Sequence, residues 1–456
     1  MTGFEKELSG WGRYPRQVCR VHRPETAAEI RELLADAGAP PMIAFGMGRS
    51  YGDAPLNLRR SVVMTGRMNR MLRFEEHTGL LECEAGVTLE EIIRVFLPRG
   101  FFLPVTPGTK YITVGGAVAN DVHGKNHHRD GCFSGHVESF RLLAADGSVL
   151  RCSRTENPDV FRATIGGIGL TGIILSVELK LMRVESAYVR VRYETANHVE
   201  EAFRLFQEDD DRYQYSVAWI DCLARGRSLG RSILMRGNHA SREELEAYGT
   251  GAKDPYAVRP RRQWRVPFEL PGQVLNPWSI RLFNEAYYLM HARKKEEIVD
   301  YDRFFYPLDA VLHWNRAYGP RGFVQYQAVL PDARAFDGIV GLLESFSSSR
   351  RSSFLAVLKR MGEANDGLLS FPMRGYTLAL DLPLHDEGLL PMLRKLDEFV
   401  LSRGGRIYLG KDAILSAEHF REMYPSHDRF RSILRGLDPN QRFSSSMSRR
   451  LELTET

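Results

Sequence analysis

Two glycine clusters constrain this 456-residue chain more than any other feature, because each looks like a nucleotide loop and neither has the sequel that a dinucleotide fold requires. Gly167-Ile-Gly169-Leu-Thr-Gly172 matches G-x-G-x-x-G, but IILSVELKL follows it and alternates like a β-strand. The Rossmann fingerprint needs a strand before the glycines and a helix after them, so that the pyrophosphate meets a helix N-terminus. Gly46-Met47-Gly48-Arg49-Ser50-Tyr51-Gly52 does follow an apolar strand at 41–45, but it runs into the polar, proline-containing GDAPLNLRR. A Rossmann dehydrogenase is therefore disfavoured. Phosphate is still held without a helix where consecutive N–H groups of a glycine-rich turn form a nest. Arg49, Ser50 and Tyr51 add side chains that donate to phosphate or stack on a ring. A third cluster, PGTKYITVGGAVANDVHGKNHH at 107–128, supplies further small residues and polar donors.

The surrounding pattern is that of a soluble, two-domain protein. The length exceeds one ordinary core, and 43% apolar with 26% charged residues is a globular balance. A net charge of +5 with Lys and Arg interspersed among acids does not suit a nucleic-acid partner. Thr26 and Glu29 predict a capping box and a helix running to Gly38, and Thr88 with Glu91 predicts a second one ending near Gly100. Asp146-Gly147 between apolar runs at 137–152 predicts a hairpin. The first domain is expected to end near residue 187, after the strand at 173–183. From 188 to 405 longer strand-like runs, such as SVAWIDC, FVQYQAVL and YTLALDLPL, predict a sheet with helices on one side. Residues 236–285 mix glycine, proline and basic residues with Trp264, Phe268, Leu270, Val274, Trp278 and Phe283 in weak periodicity. Such a segment reads as a surface excursion, and its basic, aromatic character also suits contact with a lipid surface or cover over a substrate channel.

Five scattered cysteines, Cys19, Cys83, Cys132, Cys152 and Cys222, form no C-x-x-C pair and read as free thiols. The N-terminus has no apolar signal-like run, and no window approaches 18 uninterrupted apolar residues. A cytoplasmic protein is expected, with peripheral membrane association or a periplasmic face left open. His123, His127, His128 and His136 invite a metal reading, but an i, i+4 pair needs a helix that Gly124 disfavours, so no metal is expected.

Taken in order, AFGMGRSYGD (44–53), the 107–128 cluster and GGIGLTGII (166–174) resemble the FAD-binding domain of the vanillyl-alcohol-oxidase superfamily, and within it the decaprenylphosphoryl-β-D-ribose 2′-oxidase branch. HWNRAYGPRGFVQYQ (313–327), SFLAVLKR (353–360), GGRIYLGKD (404–412) and the C-terminal MSRRLEL extend the likeness over nearly the whole chain. The resemblance implies an α+β, two-domain flavoprotein whose FAD-binding domain is split in sequence: 1–187, a substrate domain with an antiparallel sheet at 188–405, and a return to the first domain at 406–456. It implies noncovalent FAD with Gly46, Met47, Gly48, Arg49, Ser50, Tyr51 and Gly52 at the pyrophosphate, and Gly108, Thr113, Val114, Gly115 and Gly116 nearby. Asn120, His123, Gly124, Tyr408 and Lys411 are placed close to the flavin, and residues 172–174, with Ile173 and Ile174, at the adenine half. Several superfamily members attach flavin to a His of the first glycine loop. This loop has none, which supports a dissociable cofactor.

Flavin-dependent oxidation of a secondary alcohol needs a hydride acceptor, a base for the hydroxyl proton and positive charge near the reduced ring. Lys411 matches the family's active-site lysine and suits either of the last two roles, with Tyr51 and His123 as further catalytic candidates. Gln325, Gln327, Lys359, Trp219, Thr377 and Ala379 are the implied substrate contacts. Gln325 and Gln327, two apart in a strand, point to one face. Thr377 and Ala379 stand where mycobacterial members have Asn and Cys, so the implied sugar pocket differs there in detail. The implied activity is oxidation of a polyprenylphosphoryl ribose at its 2′-hydroxyl to a keto sugar, the first half of an epimerisation that a separate NAD(P)H-dependent reductase would finish. An alditol or aldonolactone oxidase acting on a free sugar is the alternative, and a nucleotide-sensing binding module the third reading.

Overall fold

The computed structural model describes residues 3–36, 38–249, 254–272, 276–349, 351, 353 and 355–455. Strand β1 (Phe4–Ser9) pairs antiparallel with β2 (Arg16–His22), and Thr26 then caps the helix Ala27–Ala35 by accepting the Glu29 N–H. This capping box is only half made, since the Glu29 carboxylate takes the Glu25 N–H instead. The helix stops at Ala35, short of Gly38. Strands β3 (Met42–Phe45) and β4 (Ser61–Met64) complete a first sheet in the order β1-β2-β4-β3, with β2, β4 and β3 parallel.

The second sheet is antiparallel throughout. It orders β5 (Met71–Glu75), β6 (Leu80–Glu84), β10 (Ile173–Lys180), β8 (Val137–Leu143) and β9 (Val149–Ser153). Thr88 and Glu91 form a full capping box on the helix Leu89–Phe96. The β8–β9 hairpin turns through Asp146-Gly147, with Gly147 left-handed at φ 83°. Short strands β7 (Phe101–Phe102) and β11 (Met182–Arg183) pair with each other just before the chain crosses to the next sheet.

That sheet has eight antiparallel strands. They are β12 (Tyr188–Ala196), β13 (Tyr215–Ile220), β14 (Ser232–His239), β16 (Glu296–Asp300), β18 (Phe323–Pro331), β19 (Ala356–Met361), β20 (Gly375–Pro383) and β21 (Arg406–Ile407), in the order β16-β12-β14-β13-β19-β20-β18-β21. A separate two-stranded ribbon joins β15 (Trp264–Arg265) to β17 (Val311–Leu312). One face of the large sheet, carrying Ala328, Leu330, Leu358, Leu378 and Leu380, packs on the helices Val199–Asp209, Asp332–Ser349 and Leu389–Leu401. The other face is left for the cleft. The expectation of helices on one side holds for those three but not for Pro277–Ala292, whose Tyr287 ring packs tilted against Trp219 of the cleft face, with ring centroids 4.7 Å apart. Weak periodicity hid this 16-residue helix. Val274 lies outside the described residues.

After β21 the chain returns to the first sheet. Met42 and Phe443 form a parallel bridge, and Arg450 of the helix Ser446–Arg450 binds Asp53 at 2.7 Å and Asp412 at 2.9 Å. One ion-paired arginine thereby ties the first glycine loop to the loop that carries Lys411. All five cysteines are free and buried. Among the described residues no helix is long and apolar enough to cross a membrane.

Candidate active site

A cleft lies between the glycine loops and the open face of the eight-stranded sheet. Its cofactor-facing wall is backbone and small side chains. Gly46 sits so close to Thr113 that a Cβ would meet Thr113 Oγ1 at 2.4 Å, and a Cβ on Gly52 would lie 1.7 Å from the carbonyl oxygen of Asp412. Gly108 lines the cleft with nothing within 4 Å of where a Cβ would be. Among the described residues no protein acceptor takes the N–H groups of Met47, Gly48, Arg49 or Ser50. The Arg49 guanidinium lies 3.9 Å over the Trp11 ring at the cleft edge. Free N–H groups, a fixed cation and glycine-sized clearance are what a bound pyrophosphate needs.

Thr113 to Gly116 contribute differently. The N–H groups of Val114, Gly115 and Gly116 are already taken by Val87 O, Ala85 O and Thr113 Oγ1. This stretch gives shape rather than donors. Two buried polar atoms beside the cleft, Asn120 Oδ1 and His123 Nδ1, have no partner among the described residues. Orphaned groups of this kind are costly unless a ligand meets them. The residues present thus fit FAD: a phosphate-binding turn at one end, and unpaired polar atoms beside a lysine at the other.

The substrate-facing wall follows from strand register. Trp219 pairs with Val357, Val357 with Ala379, and Ala379 with Gln327, so one row of side chains crosses four strands on the cleft face. Gln325 sits two residues along β18, opposite Asp381. Lys359 is two residues beyond Val357, with its Nζ 3.5 Å from Gly124 O. Period-two alternation puts all of these on one face. The Gln327 amide donates to His123 Nε2 at 3.1 Å and to Thr377 Oγ1 at 3.3 Å, while the Thr377 hydroxyl donates to Ala328 O at 2.8 Å. His123 therefore accepts through Nε2. Burial, with Lys359, His127 and Lys411 nearby, holds its pKa well below the ordinary value, so the ring is neutral.

Lys411 reaches the junction of the two walls, its Nζ 3.8 Å over the Tyr51 ring. Burial lowers its pKa, the Asp381 carboxylate opposes that, and Lys359 lowers it further. Asp381 is fully buried. Burial raises its pKa, against the hydrogen bond from Gln325 and the charge of Lys411. Lys125, also on the cleft, is pushed down to about 7 by burial and Lys359, and its Nζ lies 4.2 Å over the Phe304 ring. Lysines kept this close to neutrality in a dry cleft are poised to exchange protons near neutral pH.

The cleft gathers Gly46, Met47, Gly48, Arg49, Ser50, Tyr51, Gly108, Thr113, Gly115, Gly116, Asn120, His123, Gly124 and Ile174. It also gathers Trp219, Gln325, Gln327, Lys359, Ala379, Tyr408 and Lys411. Four of the sequence-derived candidates do not reach it. Val114 and Ile173 are fully buried and pack into hydrophobic clusters away from the cleft, Ile173 because it alternates with Ile174 on β10. Gly52 serves close packing against Asp412, and Thr377 lies behind Gln327 and orients it. Asp381 was missed, although an acid two residues from Ala379 in an otherwise apolar strand was a usable signal. Lys125 and Tyr287 were missed because only the assembled fold turns them to the cleft. His123 and His127 share no helix; a helical turn, His127–Asp130, begins only after Gly124, and the His127 ring accepts the Gly362 N–H.

Comparison with known proteins agrees with this geometry. Residues 19–153 match the FAD binding domain family model, and residues 376–451 match that of D-arabinono-1,4-lactone oxidase. The chain is 36% identical over 98% of both lengths to the decaprenylphosphoryl-beta-D-ribose oxidase of Mycolicibacterium smegmatis. It is 34% identical to an uncharacterised protein of Streptomyces coelicolor over 80% of this chain and all of that one. Mouse L-gulonolactone oxidase is 30% identical over 35% of this chain and 36% of its own length.

Proposed function

The chain belongs to the decaprenylphosphoryl-β-D-ribose oxidase family of FAD-dependent oxidoreductases, and on that premise we propose that it oxidises the 2′-hydroxyl of a polyprenylphosphoryl ribose to the 2′-keto sugar. The observation that carries this reading is the meeting of Lys411, His123 and Gln327 at the junction of the glycine-loop wall and the sheet wall. FAD, when bound, supplies the hydride acceptor. Gln325, Gln327 and Lys359 present amides and a cation to the sugar and its phosphate. Neutral Lys411 takes the hydroxyl proton at Nζ, and Asp381 sets how readily it does so. The Tyr51 ring lies under the lysine Nζ, and neutral His123 fixes the Gln327 amide.

The cofactor is held without a covalent bond, since the first glycine loop contains no His or Cys. A separate NAD(P)H-dependent reductase completes the epimerisation. Anaerobic addition of a polyprenylphosphoryl ribose to the flavin-loaded protein is expected to bleach the visible flavin band. A band that persists there and bleaches with a free aldonolactone or alditol would move the assignment to a free-sugar oxidase, and a colourless protein that cannot be reconstituted would overturn it.

A further inference from the structure

The helix Pro277–Ala292 is amphipathic in the inverted sense. Its inward face carries Ile280, Asn284 and Tyr287: Asn284 donates to Asp221 at 2.7 Å, and the Tyr287 ring packs tilted against Trp219. Trp278, Leu282 and Leu289, spaced at four and seven residues, share the opposite stripe and are 80%, 74% and 52% exposed. Trp264 and Phe268, in the stretch leading to the helix, are exposed as well.

Burying such residues is favourable by roughly 1.5–3 kcal/mol each, so a water-facing stripe of them calls for an occupant. The charge around it selects one. Exposed Arg259, Arg262, Arg265, Arg281 and Arg293 surround or flank the stripe in sequence, while Glu269 and Glu285, among the few acids there, are already paired with Arg13 and Arg231. An outward apolar stripe with arginine flanks is the pattern of a helix lying in a membrane interface.

We infer that the outer face of Pro277–Ala292 docks this enzyme onto an anionic lipid surface, so that a lipid-linked substrate enters the cleft past Tyr287. The inner face of the helix lines the same cleft through Tyr287, beside Trp219, Val217 and Met235. An apolar path therefore runs from beneath the docking helix toward Lys411. The entry route rests on the proposed substrate; the docking itself does not.

The test is co-sedimentation of the holoenzyme with phosphatidylglycerol-containing vesicles and with pure phosphatidylcholine vesicles. Wild type is expected to bind the anionic vesicles, and Trp278→Ser/Leu282→Ser to bind them at least about a hundredfold more weakly. Both should show the same flavin bleaching with a short-chain, water-soluble substrate analogue, because neither residue touches the cleft. No binding by wild type, or equal binding by the variant, overturns the proposal. So does a concentration-dependent dimer that the variant abolishes without any vesicle binding, which would assign the face to a second copy. Failure of bleaching in both proteins alongside intact vesicle binding would instead count against the substrate reading alone.

Discussion

The two walls of the cleft are built on opposite principles. The glycine-loop wall offers backbone N–H groups and clearance, so its function sits in residues that lack side chains, such as Gly46 and Gly108. The sheet wall offers side chains, and its function sits in which residues share a face: Trp219, Val357, Ala379 and Gln327 align only because four strands are in one register. The difference separates two kinds of specificity. The first wall recognises a group common to many relatives, and the second is free to change its substrate by changing single side chains. Lys411 belongs to neither wall, since the Arg450 link between Asp53 and Asp412 holds its loop at the seam.

The largest effect is expected at that seam. Lys411→Ala should retain FAD yet slow bleaching by substrate about a thousandfold, within the range for loss of a general base. Anaerobic stopped-flow spectroscopy measures both properties, and reduction at the wild-type rate would remove Lys411 from the mechanism.

Next in size is Gly52→Ala, whose Cβ would meet the Asp412 backbone at 1.7 Å. Overpacking against main chain should cost about 1–3 kcal/mol of stability, together with weaker flavin retention. A melting curve followed by flavin fluorescence reads both. An unchanged melt would show that the loops separate more easily than their contact suggests.

The pH profile tests how the two walls share a proton. The rate should rise with pH as Lys411 loses its proton, with a midpoint far below that of a free lysine, about 7. The negative charge of Asp381 favours the protonated lysine, so Asp381→Asn should move that midpoint to lower pH. A shift upward, or none, would uncouple the pair.

The smallest effect is expected for Thr377→Val, which removes the acceptor for Gln327 and the donor to Ala328 O. A loss of about 1 kcal/mol, seen mainly in KM, follows from one hydrogen bond that orients an amide. If kcat fell instead with KM unchanged, Thr377 would be acting on the chemistry through His123.

The sequence by itself determined the cofactor side. A glycine-rich turn and Thr88 with Glu91 at a helix start are local requirements, legible without a partner in view. The family likeness runs through these stretches and on through 313–327, 353–360 and 404–412, so it also named Gln325, Gln327, Lys359 and Lys411. Half-made capping at Thr26 shows the limit even of local signals, since Glu29 found a competing donor one residue away. Tertiary structure decided which of the named residues face the cleft and how the seam is tied. Whether Thr377 or Asp381 faces a substrate depends on strand pairing and on what lies in front of each, and a period-two pattern names a face without saying what covers it. The 277–292 helix escaped detection for a related reason. Its apolar stripe points outward and its buried face is partly polar, so hydrophobic periodicity carried no clean sign of which side packs on the protein.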